Sequence, residues 1–301
     1  MDNIMMLLFC LAIGVGLRWS RRMPDNAHVA INAFIIHVSL PAVTLLQVHG
    51  VSLASPLIYA VLMPWLLFVA SAGLFWTVGR ALRLPRATTG ALAVLGGLGN
   101  TSFIGLPMIE SFYGPGLLSV GIVIDQLGTY LVLSTIGIMV ICFYGTGTLS
   151  AADVVKRIAS FPPLIALVVA IALIPVPLPA WSVSSLGRLG GTLAPLALVS
   201  VGLQLRLGAL SGNRRLLAMG LGYKLVLAPL LILMLYAGVF GLRDQTTQVT
   251  LFESAMAPQI GGAIVAAQYG LNAPLISLMV GVGTVLSFLT LPLWWNMFAM
   301  L

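Results

Sequence analysis

Three ionisable side chains lie inside long apolar runs of the sequence, where a charge has the strongest chemical consequences. They are Asp125, Lys224 and Glu253, and at about 1.5 Å per helical residue each falls near the middle of its run. A charge at the centre of a bilayer is costly, so it pairs with another charge, faces a water-filled cavity or has a function. A structural ion pair of Lys224 with Glu253 or with Asp125 is the alternative to a functional role.

Glu253 lies one turn before one of two polar interruptions of the apolar pattern. The interruptions are GNTSFIGLP (99–107) and AMAPQIGGA (255–263). Main-chain polar groups freed inside hydrocarbon must be satisfied by protein or by water in a cavity. The half-helix that begins at each interruption directs its first N–H groups toward it, which suits an anion, while the half that ends there offers carbonyls to a cation. We therefore expect an anionic substrate and a coupled cation at these interruptions.

The residues of the interruptions and their charged neighbours are the candidate site. Substrate binding is predicted for Asn100, Thr101, Ser102, Pro258, Gln259 and Gly261, and ion coupling for Glu253, Asp125, Asn100 and Gln259. Glu253 could form a Na⁺ site of hard oxygen ligands, or it could carry a proton. Supporting roles are predicted for Lys224, Pro41, Pro195, Gln204 and Gln47. The alternative for the glycines of the interruptions is close helix packing.

Composition indicates the setting of this site. Hydrophobic residues make up 60% of the 301 and charged residues only 7%, and the mean hydropathy is +1.10. These values exclude a soluble domain and indicate a multi-pass protein in a lipid bilayer. The net charge of +7 is concentrated in short links between apolar runs, so it reports topology and not a nucleic-acid partner. Cys10 and Cys142 lie inside apolar runs, where we expect neither a disulfide nor a metal site.

Ten apolar runs are long enough to cross a membrane, with some short or tilted. They are residues 3–19, 27–48, 55–79, 87–113, 116–144, 161–176, 182–205, 216–240, 246–270 and 273–300. The first run lacks a preceding basic residue and a following cleavage site, so it is predicted as a span and not as a signal peptide. Basic residues concentrate in the first, third, fifth and seventh links, which predicts that those links are cytoplasmic and that both termini are external.

The two halves of the chain show an internal repeat. SLPAVTLLQ around Pro41 matches APLALVSVGLQ around Pro195, LMPWLL (62–67) matches LAPLLI (227–232), and RATTGALAV (86–94) matches DQTTQVTLF (244–252). Five spans per half force the second copy to be inverted in the membrane. We predict a first repeat at 1–144, a cytoplasmic linker at 145–160 and an inverted second repeat at 161–301. The two interruptions then occupy corresponding positions, which is typical of a transporter site.

Several motifs together resemble the bacterial auxin efflux carrier family over nearly the whole chain. They are LPAVTLL (40–46), GNTSFIGLPMIESFYG (99–114), LAPLALVSVGLQL (193–205), KLVLAPLL (224–231), AMAPQIGGAIVAAQYG (255–270) and TVLSFLTLPLW (284–294). The resemblance implies an all-α fold of ten transmembrane helices, in which discontinuous helices 4 and 9 cross, and an elevator motion. It also implies that Asn100 and Pro107 belong to the first crossing segment and Pro258 to the second.

The resemblance further implies transport of small organic anions such as malate, malonate or auxin-like acids. The more distant bile acid:sodium symporters share the architecture and bind cations with a Glu, a Gln and an Asn, to which Glu253, Gln259 and Asn100 are similar in kind. The leading prediction is thus a secondary carrier in the bacterial inner membrane, coupled to Na⁺ or H⁺, without a further cofactor, as a monomer or a homodimer. Sodium-coupled uptake like that of the symporters is one alternative.

Two other classes are weaker alternatives. An intramembrane enzyme needs a paired Asp or a Ser–His arrangement, but Asp125 is the only Asp inside an apolar run and His37 has no evident partner. We therefore predict no enzymatic activity. A channel would be expected to line its pore with rings of like charge, which the sequence lacks.

Overall fold

The computed structural model describes residues 2–48, 57–146, 150–205 and 214–301, and within these ranges the chain is helical, with one isolated β-bridge and no strand. Merging helical segments that continue into one another gives thirteen described helices. They are α1 Asp2–Trp19, α2 Ala27–Val48, α3 Leu57–Ala81, α4 Arg86–Gly97, α5 Thr101–Tyr113, α6 Pro115–Tyr144, α7 Ala151–Ala159, α8 Pro162–Ala172, α9 Ala180–Gln204, α10 Arg214–Val239, α11 Gln245–Ser254, α12 Ile260–Gln268 and α13 Ala273–Phe298.

Six of these helices are long and apolar enough to cross a membrane: α2, α3, α6, α9, α10 and α13. Two shorter apolar helices, Met5–Trp19 and Pro162–Ala172, accompany them. The two runs with polar interruptions are each divided in two, into α4 and α5 and into α11 and α12. The start of the predicted run 55–79, part of the predicted linker 145–160 and Arg206 lie outside the described residues.

The chain divides into two compact units, and each unit takes segments from both halves of the sequence. The first comprises Met1–Ala54, Ser102–Ile122 and Lys156–Leu205. Within it α1 packs along the second part of α9, and a Cβ added at Gly14 would lie 2.2 Å from the Val199 carbonyl oxygen. Polar contacts also join α2 to α9, since Ser39 and Thr192 share a hydroxyl hydrogen bond of 2.7 Å and Ser200 donates to Asn32.

The second unit comprises Ser55–Thr101, Val123–Val155 and Arg206–Leu301. Its centre is α4, whose residues from Thr88 to Gly97 are all buried, with α3, α10, α12 and α13 packed against it. Gly96 and Gly97 allow the close approach of α3, because an added Cβ would lie 2.6 Å from Ser71 Oγ and 2.8 Å from Phe68 Cδ2. This packing fixes the end of α4 inside the unit, where the first interruption begins.

Both charged residues that lie in the middle of long helices of this unit occupy π-helical turns. Asp125 belongs to the turn Ile124–Tyr130 of α6 and Lys224 to the turn Tyr223–Leu227 of α10. A π-turn inserts a residue into the regular ladder and often marks a functional site, because it redirects the side chains on that face. Four further π-helical segments occur among the described residues, Ile35–Ser39, Thr101–Gly105, Leu133–Gly137 and Met234–Val239, so this geometry accompanies the two charges but is not specific to them.

Candidate functional site

The two polar interruptions meet each other through their main chains. The N–H of Asn100 donates to the Ala257 carbonyl at 2.8 Å, and the N–H of Gln259 donates to the Leu98 carbonyl at 3.0 Å, forming an antiparallel bridge between Gly99 and Pro258. Each interruption thus satisfies main-chain groups that the other has freed from its helix. These buried main-chain polar groups are therefore hydrogen-bonded to protein and need no water molecule as a partner.

Small residues bring the neighbouring helices onto this bridge. A Cβ added at Gly283 of α13 would lie 2.7 Å from Pro258 Cδ, and one at Gly262 would lie 3.0 Å from Leu98 Cδ1. Gly99 faces Lys224, because its added Cβ would lie 3.2 Å from the Nζ atom. Side chains at these three glycines would push the bridge away from its supports.

Lys224 is fully buried and contacts the end of α11. Its exposed fraction is 1%, and its Nζ donates to the Ser254 carbonyl at 3.1 Å. A cation near the last carbonyls of a helix interacts favourably with the helix dipole. The described residues contain no hydrogen bond between Lys224 and Glu253, but the two charges act on each other electrostatically, so the structural ion pair stays a prediction.

Glu253 is a buried acidic residue near the end of α11. Its exposed fraction is 1%, and neither carboxylate oxygen has a hydrogen-bond partner among the residues that the structure describes. A buried carboxylate normally accepts hydrogen bonds or binds a cation, because an unsatisfied charge is costly. Glu253 is therefore able to receive a cation or a proton.

Asp125 is tied to the first interruption. The Thr101 hydroxyl donates to its Oδ1 at 2.6 Å, and both side chains are buried. The hydrogen bond between Thr101 and Asp125 thus connects the first interruption to α6. The structure brings together Asn100, Thr101, Asp125, Lys224, Glu253, Pro258 and Gln259 in the second unit, as separate but adjoining contacts.

The start of α12 carries no side-chain cap. Gln259 is its N-cap residue, has no side-chain capping bond and leaves its Oε1 atom without a partner among the described residues. Gly261 follows in an exposed position, where an added Cβ would meet its nearest neighbour at 4.0 Å. The first N–H groups of a helix lack intrahelical partners and carry the positive end of its dipole.

Oxygen atoms are the cation ligands that this site offers. No group of three or more His, Cys, Asp or Glu side chains that could hold a metal ion occurs in the described part of the chain. The carboxylate of Glu253, the amide oxygen of Gln259 and the carbonyls at the ends of α4 and α11 are hard ligands, which suit Na⁺ better than a transition metal.

The other predicted site residues belong to the first unit. Ser102 is half-buried and Pro107 is buried, and both lie after the bridge in sequence. Gln204 donates to the Ser200 carbonyl at 3.1 Å, which occupies its amide inside that unit. Pro41, Pro195 and Gln47 are half-buried there. The assignment of substrate-binding and supporting roles to these residues stays a prediction.

Some parts of the site carried no side-chain signal in the sequence. The Ser254 carbonyl, which receives the Lys224 ammonium, is a main-chain group that any residue would supply. Gly283 lies outside both interruptions, and its contact with Pro258 follows from the packing of α13. Glycine at a helix interior was the only available signal, and it does not identify the partner.

Comparisons with known proteins agree with this geometry. The profile of the membrane transport protein family matches residues 1–149 and 146–295. An uncharacterized transporter of Methanothermobacter thermautotrophicus is 25% identical over 300 residues, covering 97% of this chain and 96% of that protein. An uncharacterized transporter of Methanocaldococcus jannaschii is 23% identical over 303 residues, covering 98% and 97%.

These matches extend over nearly the whole chain and include both interruptions and the helices that carry Asp125, Lys224 and Glu253. They also agree with the apolar helices of a multi-pass membrane protein, and they indicate a transporter and not an enzyme. The chain belongs to the membrane transport protein family, the auxin efflux carrier family that its motifs resemble.

Proposed function

We propose that the protein is a secondary carrier of small organic carboxylate anions, coupled to Na⁺ or H⁺. The observation that carries this proposal is the main-chain bridge at Gly99 and Pro258, with Asn100, Gln259 and the unsatisfied Glu253 carboxylate gathered around it. Paired discontinuous helices near the middle of a membrane are typical of carriers that bind an anion and a cation together.

The anion is expected at the start of α12. The open N-cap at Gln259 and the exposed Gly261 supply N–H groups, a dipole end and space for a carboxylate to approach. Asn100 supplies a side-chain amide from the other interruption, and Thr101 lies beside it with its hydroxyl donated to Asp125. These donors recognise a carboxylate by hydrogen bonds and the dipole, as helix N-termini do for many anions.

The coupled cation is expected at Glu253. This carboxylate is buried and has no hydrogen-bond partner among the described residues. Na⁺ would be held by its oxygens together with amide and main-chain oxygens, whereas a proton would simply neutralise it. The adjacent Lys224 is buried against Ser254 and is expected to act on the local charge and on helix position, not by direct contact with the substrate.

The division of the chain supports a ten-span inverted repeat and an elevator motion. One unit takes α1, α2, α5, α8 and α9, the other takes α3, α4 and α10 to α13, and α6 and α7 are divided between them. The first two predicted spans of each half thus belong to one unit and the third span of each half to the other, whereas α5 and its counterpart α12 fall in different units. A repeat of this kind allows one unit to move as a body during alternating access. We extend the proposal to a protein of the bacterial inner membrane with both termini external, in keeping with the positions of the basic links.

The experiment is a ligand screen followed by transport. Thermal unfolding of the purified protein would be recorded with small mono- and dicarboxylates, in NaCl or in choline chloride, at several pH values. A ligand at one hundred times its Kd stabilises the folded state by about 2.7 kcal/mol. Stabilisation by one acid that depends on Na⁺ or on pH identifies the substrate class and the coupled ion together.

Uptake of the labelled acid into proteoliposomes then tests coupling. Glu253→Gln is expected to abolish the dependence of uptake on the cation, whereas Glu110→Gln, which changes an exposed carboxylate of α5, is expected to retain it. Unchanged cation dependence in Glu253→Gln would remove the coupling role. A non-saturating, ohmic current in place of saturable uptake would contradict a carrier altogether.

A further inference from the structure

A pocket rich in arginine lies at the ends of three helices of the second unit, away from the interruptions. Its volume is about 460 Å³, and its lining includes Arg80, Arg83 and Arg86 together with the aromatic side chains of Trp76, Phe143 and Tyr144. These residues come from the end of α3, the start of α4 and the end of α6. None of the described residues that line the pocket is a carboxylate, so three positive charges lie there without an acid among those residues.

Aromatic rings hold two of the guanidinium groups in place. Arg80 Cζ lies 4.2 Å from the centroid of the Trp76 ring, and Arg86 Cζ lies 5.1 Å from that of Phe143. Arg86 also donates to the Phe143 carbonyl at 2.5 Å. Stacking of this kind orients a guanidinium and leaves its N–H edge free to bind an anion. The charges are therefore preorganised.

The third arginine occupies a backbone conformation that favours glycine. Arg83 has φ +50°, and it and Arg21 are the two described residues other than glycine with positive φ. Leu84 N–H donates to the Gly79 carbonyl at 2.9 Å and Arg83 N–H to the Arg80 carbonyl at 3.3 Å, the bond pattern that ends a helix with a left-handed residue. A side chain costs energy there, and such a conformation often marks a functional position.

The surroundings of the pocket are apolar and exposed. Phe143 is 63% exposed and Trp76 is 45% exposed, and both lie near the ends of α3 and α6, which are long enough to cross a membrane. Aromatic residues at helix ends mark the boundary between hydrocarbon and water. A ligand for this pocket would meet arginine on one side and apolar surface on the other.

We propose that this pocket binds the phosphate group of an anionic phospholipid. The arginine N–H groups would receive the phosphate oxygens, and the exposed rings of Trp76 and Phe143 would contact the first part of the acyl chains. Basic pockets at helix ends on the cytoplasmic side are suited to anionic headgroups. The proposed lipid site does not depend on the transport mechanism, so its test is independent of the test of the proposed function.

The test measures lipid binding to the delipidated, full-length protein in detergent. Short-chain phosphatidylglycerol would be titrated while thermal unfolding is followed through fluorescence of the six tryptophans, with short-chain phosphatidylcholine, inorganic phosphate and glycerol 3-phosphate as separate arms. We expect saturable stabilisation by phosphatidylglycerol alone. Arg83→Gly is expected to weaken the apparent affinity about fivefold, the contribution of one basic residue at a charged surface.

The matched control is Arg21→Gly. Arg21 has φ +51° and is exposed at the end of α1, so this change removes the same charge and relieves the same backbone conformation outside the pocket. Without lipid, both variants are expected to be at least as stable as the wild type, which separates binding from folding. Affinity for phosphatidylglycerol should fall in Arg83→Gly and not in Arg21→Gly.

Several results would overturn the proposal. Equal stabilisation by phosphatidylcholine would show that acyl chains and not charge are recognised, and equal loss in both arginine variants would show a general effect of net charge. Binding of inorganic phosphate or glycerol 3-phosphate as tight as that of the lipid would assign the pocket to a soluble phosphate. An absence of any response in the wild type would eliminate the site.

Discussion

The ammonium of Lys224 donates to the main-chain carbonyl of Ser254, 3.1 Å away, and the carboxylate of the preceding Glu253 is left without a hydrogen-bond partner among the described residues. The buried ammonium of Lys224 therefore binds the end of α11, while the neighbouring Glu253 carboxylate makes no hydrogen bond to the described residues. Under the proposed function, this arrangement keeps Glu253 available for the coupled ion. It also makes the two charges interdependent, because they share one buried environment.

The first prediction concerns this pair. Lys224→Met removes the donor to Ser254 and the positive charge that acts on Glu253, so we expect a loss of about 1–3 kcal/mol in the free energy of unfolding. Lys224→Met combined with Glu253→Gln should recover part of this loss, since the second change removes the uncompensated carboxylate. Thermal unfolding in detergent measures the complete double-mutant cycle.

The control for this cycle is Lys156→Met, which changes an exposed lysine of α7. Its expected effect is within about 0.5 kcal/mol. If Lys224→Met were as stable as the wild type, the contact of Lys224 with Ser254 would not contribute to stability. If the double variant showed simple additivity, the two charges would be energetically independent.

The second prediction tests the packing behind the bridge. Gly283→Ala places a methyl group 2.7 Å from Pro258 Cδ, and we expect it to destabilise the protein by about 1–3 kcal/mol through overpacking. Gly222→Ala in α10 has no neighbouring atom within 4 Å, so this helical substitution should stabilise by about 0.5–1 kcal/mol.

Transport distinguishes displacement of the bridge from a general loss of stability. Uptake by Gly283→Ala should fall at a temperature where the variant is still folded, because Gln259 follows Pro258 directly. Gly222→Ala should transport normally. Wild-type stability and uptake in Gly283→Ala would mean that the second interruption tolerates movement.

The third prediction concerns the amide side chains of the two interruptions. The bridge uses main-chain groups, so Asn100→Ala and Gln259→Ala should leave it in place. We expect each variant to lose at least about tenfold in the affinity for the transported acid, equivalent to one hydrogen bond. Gln268→Ala, which removes an exposed amide from the same helix as Gln259, should bind normally.

Isothermal titration with the acid found in the screen measures these affinities, and uptake in proteoliposomes measures their consequence. If both Asn100→Ala and Gln259→Ala showed wild-type binding and uptake, the interruptions would have only a structural role, and the proposed substrate site would be wrong.

The fourth prediction addresses the link between the first interruption and α6. Thr101→Val keeps the shape of the side chain but removes the hydroxyl that donates to Asp125 at 2.6 Å. We expect destabilisation of about 1–3 kcal/mol, because a buried carboxylate loses a donor. Thr101→Ser retains the hydroxyl and should lose less than half as much. Equal thermal unfolding of the two variants would show that the hydrogen bond contributes no more to stability than the methyl group that Thr101→Ser removes.

The sequence predicted an all-helical chain and both interruptions, because glycine, proline and amides stand out against an apolar background; it did not predict the helix Ala151–Ala159, which lies in the predicted linker 145–160. GNTSFIGLP and AMAPQIGGA each mark a place where a helix ends and another begins, and the structure divides the chain there. It also predicted that Asp125, Lys224 and Glu253 are buried. These features depend on local composition and on the cost of burying polar groups.

The contacts between these features could not be predicted in the same way. The pairing of Leu98 with Gln259 joins residues from different halves through main-chain atoms, which carry no sequence signature. The contact of Lys224 with the Ser254 carbonyl is of the same kind. The left-handed conformation of Arg83 is contrary to local preference, since glycine is favoured at that position.

The bridge between the two interruptions also bears on the order in which the protein is made. During synthesis, the Leu98 carbonyl and the Asn100 N–H enter the membrane well before Ala257 and Gln259 exist. Until the second half arrives, those groups need a temporary partner, such as water or the insertion machinery, because hydrocarbon offers none. The nascent first half is therefore an incomplete structure, and the segment around Pro258, which is synthesised later, supplies the missing main-chain hydrogen-bond partners.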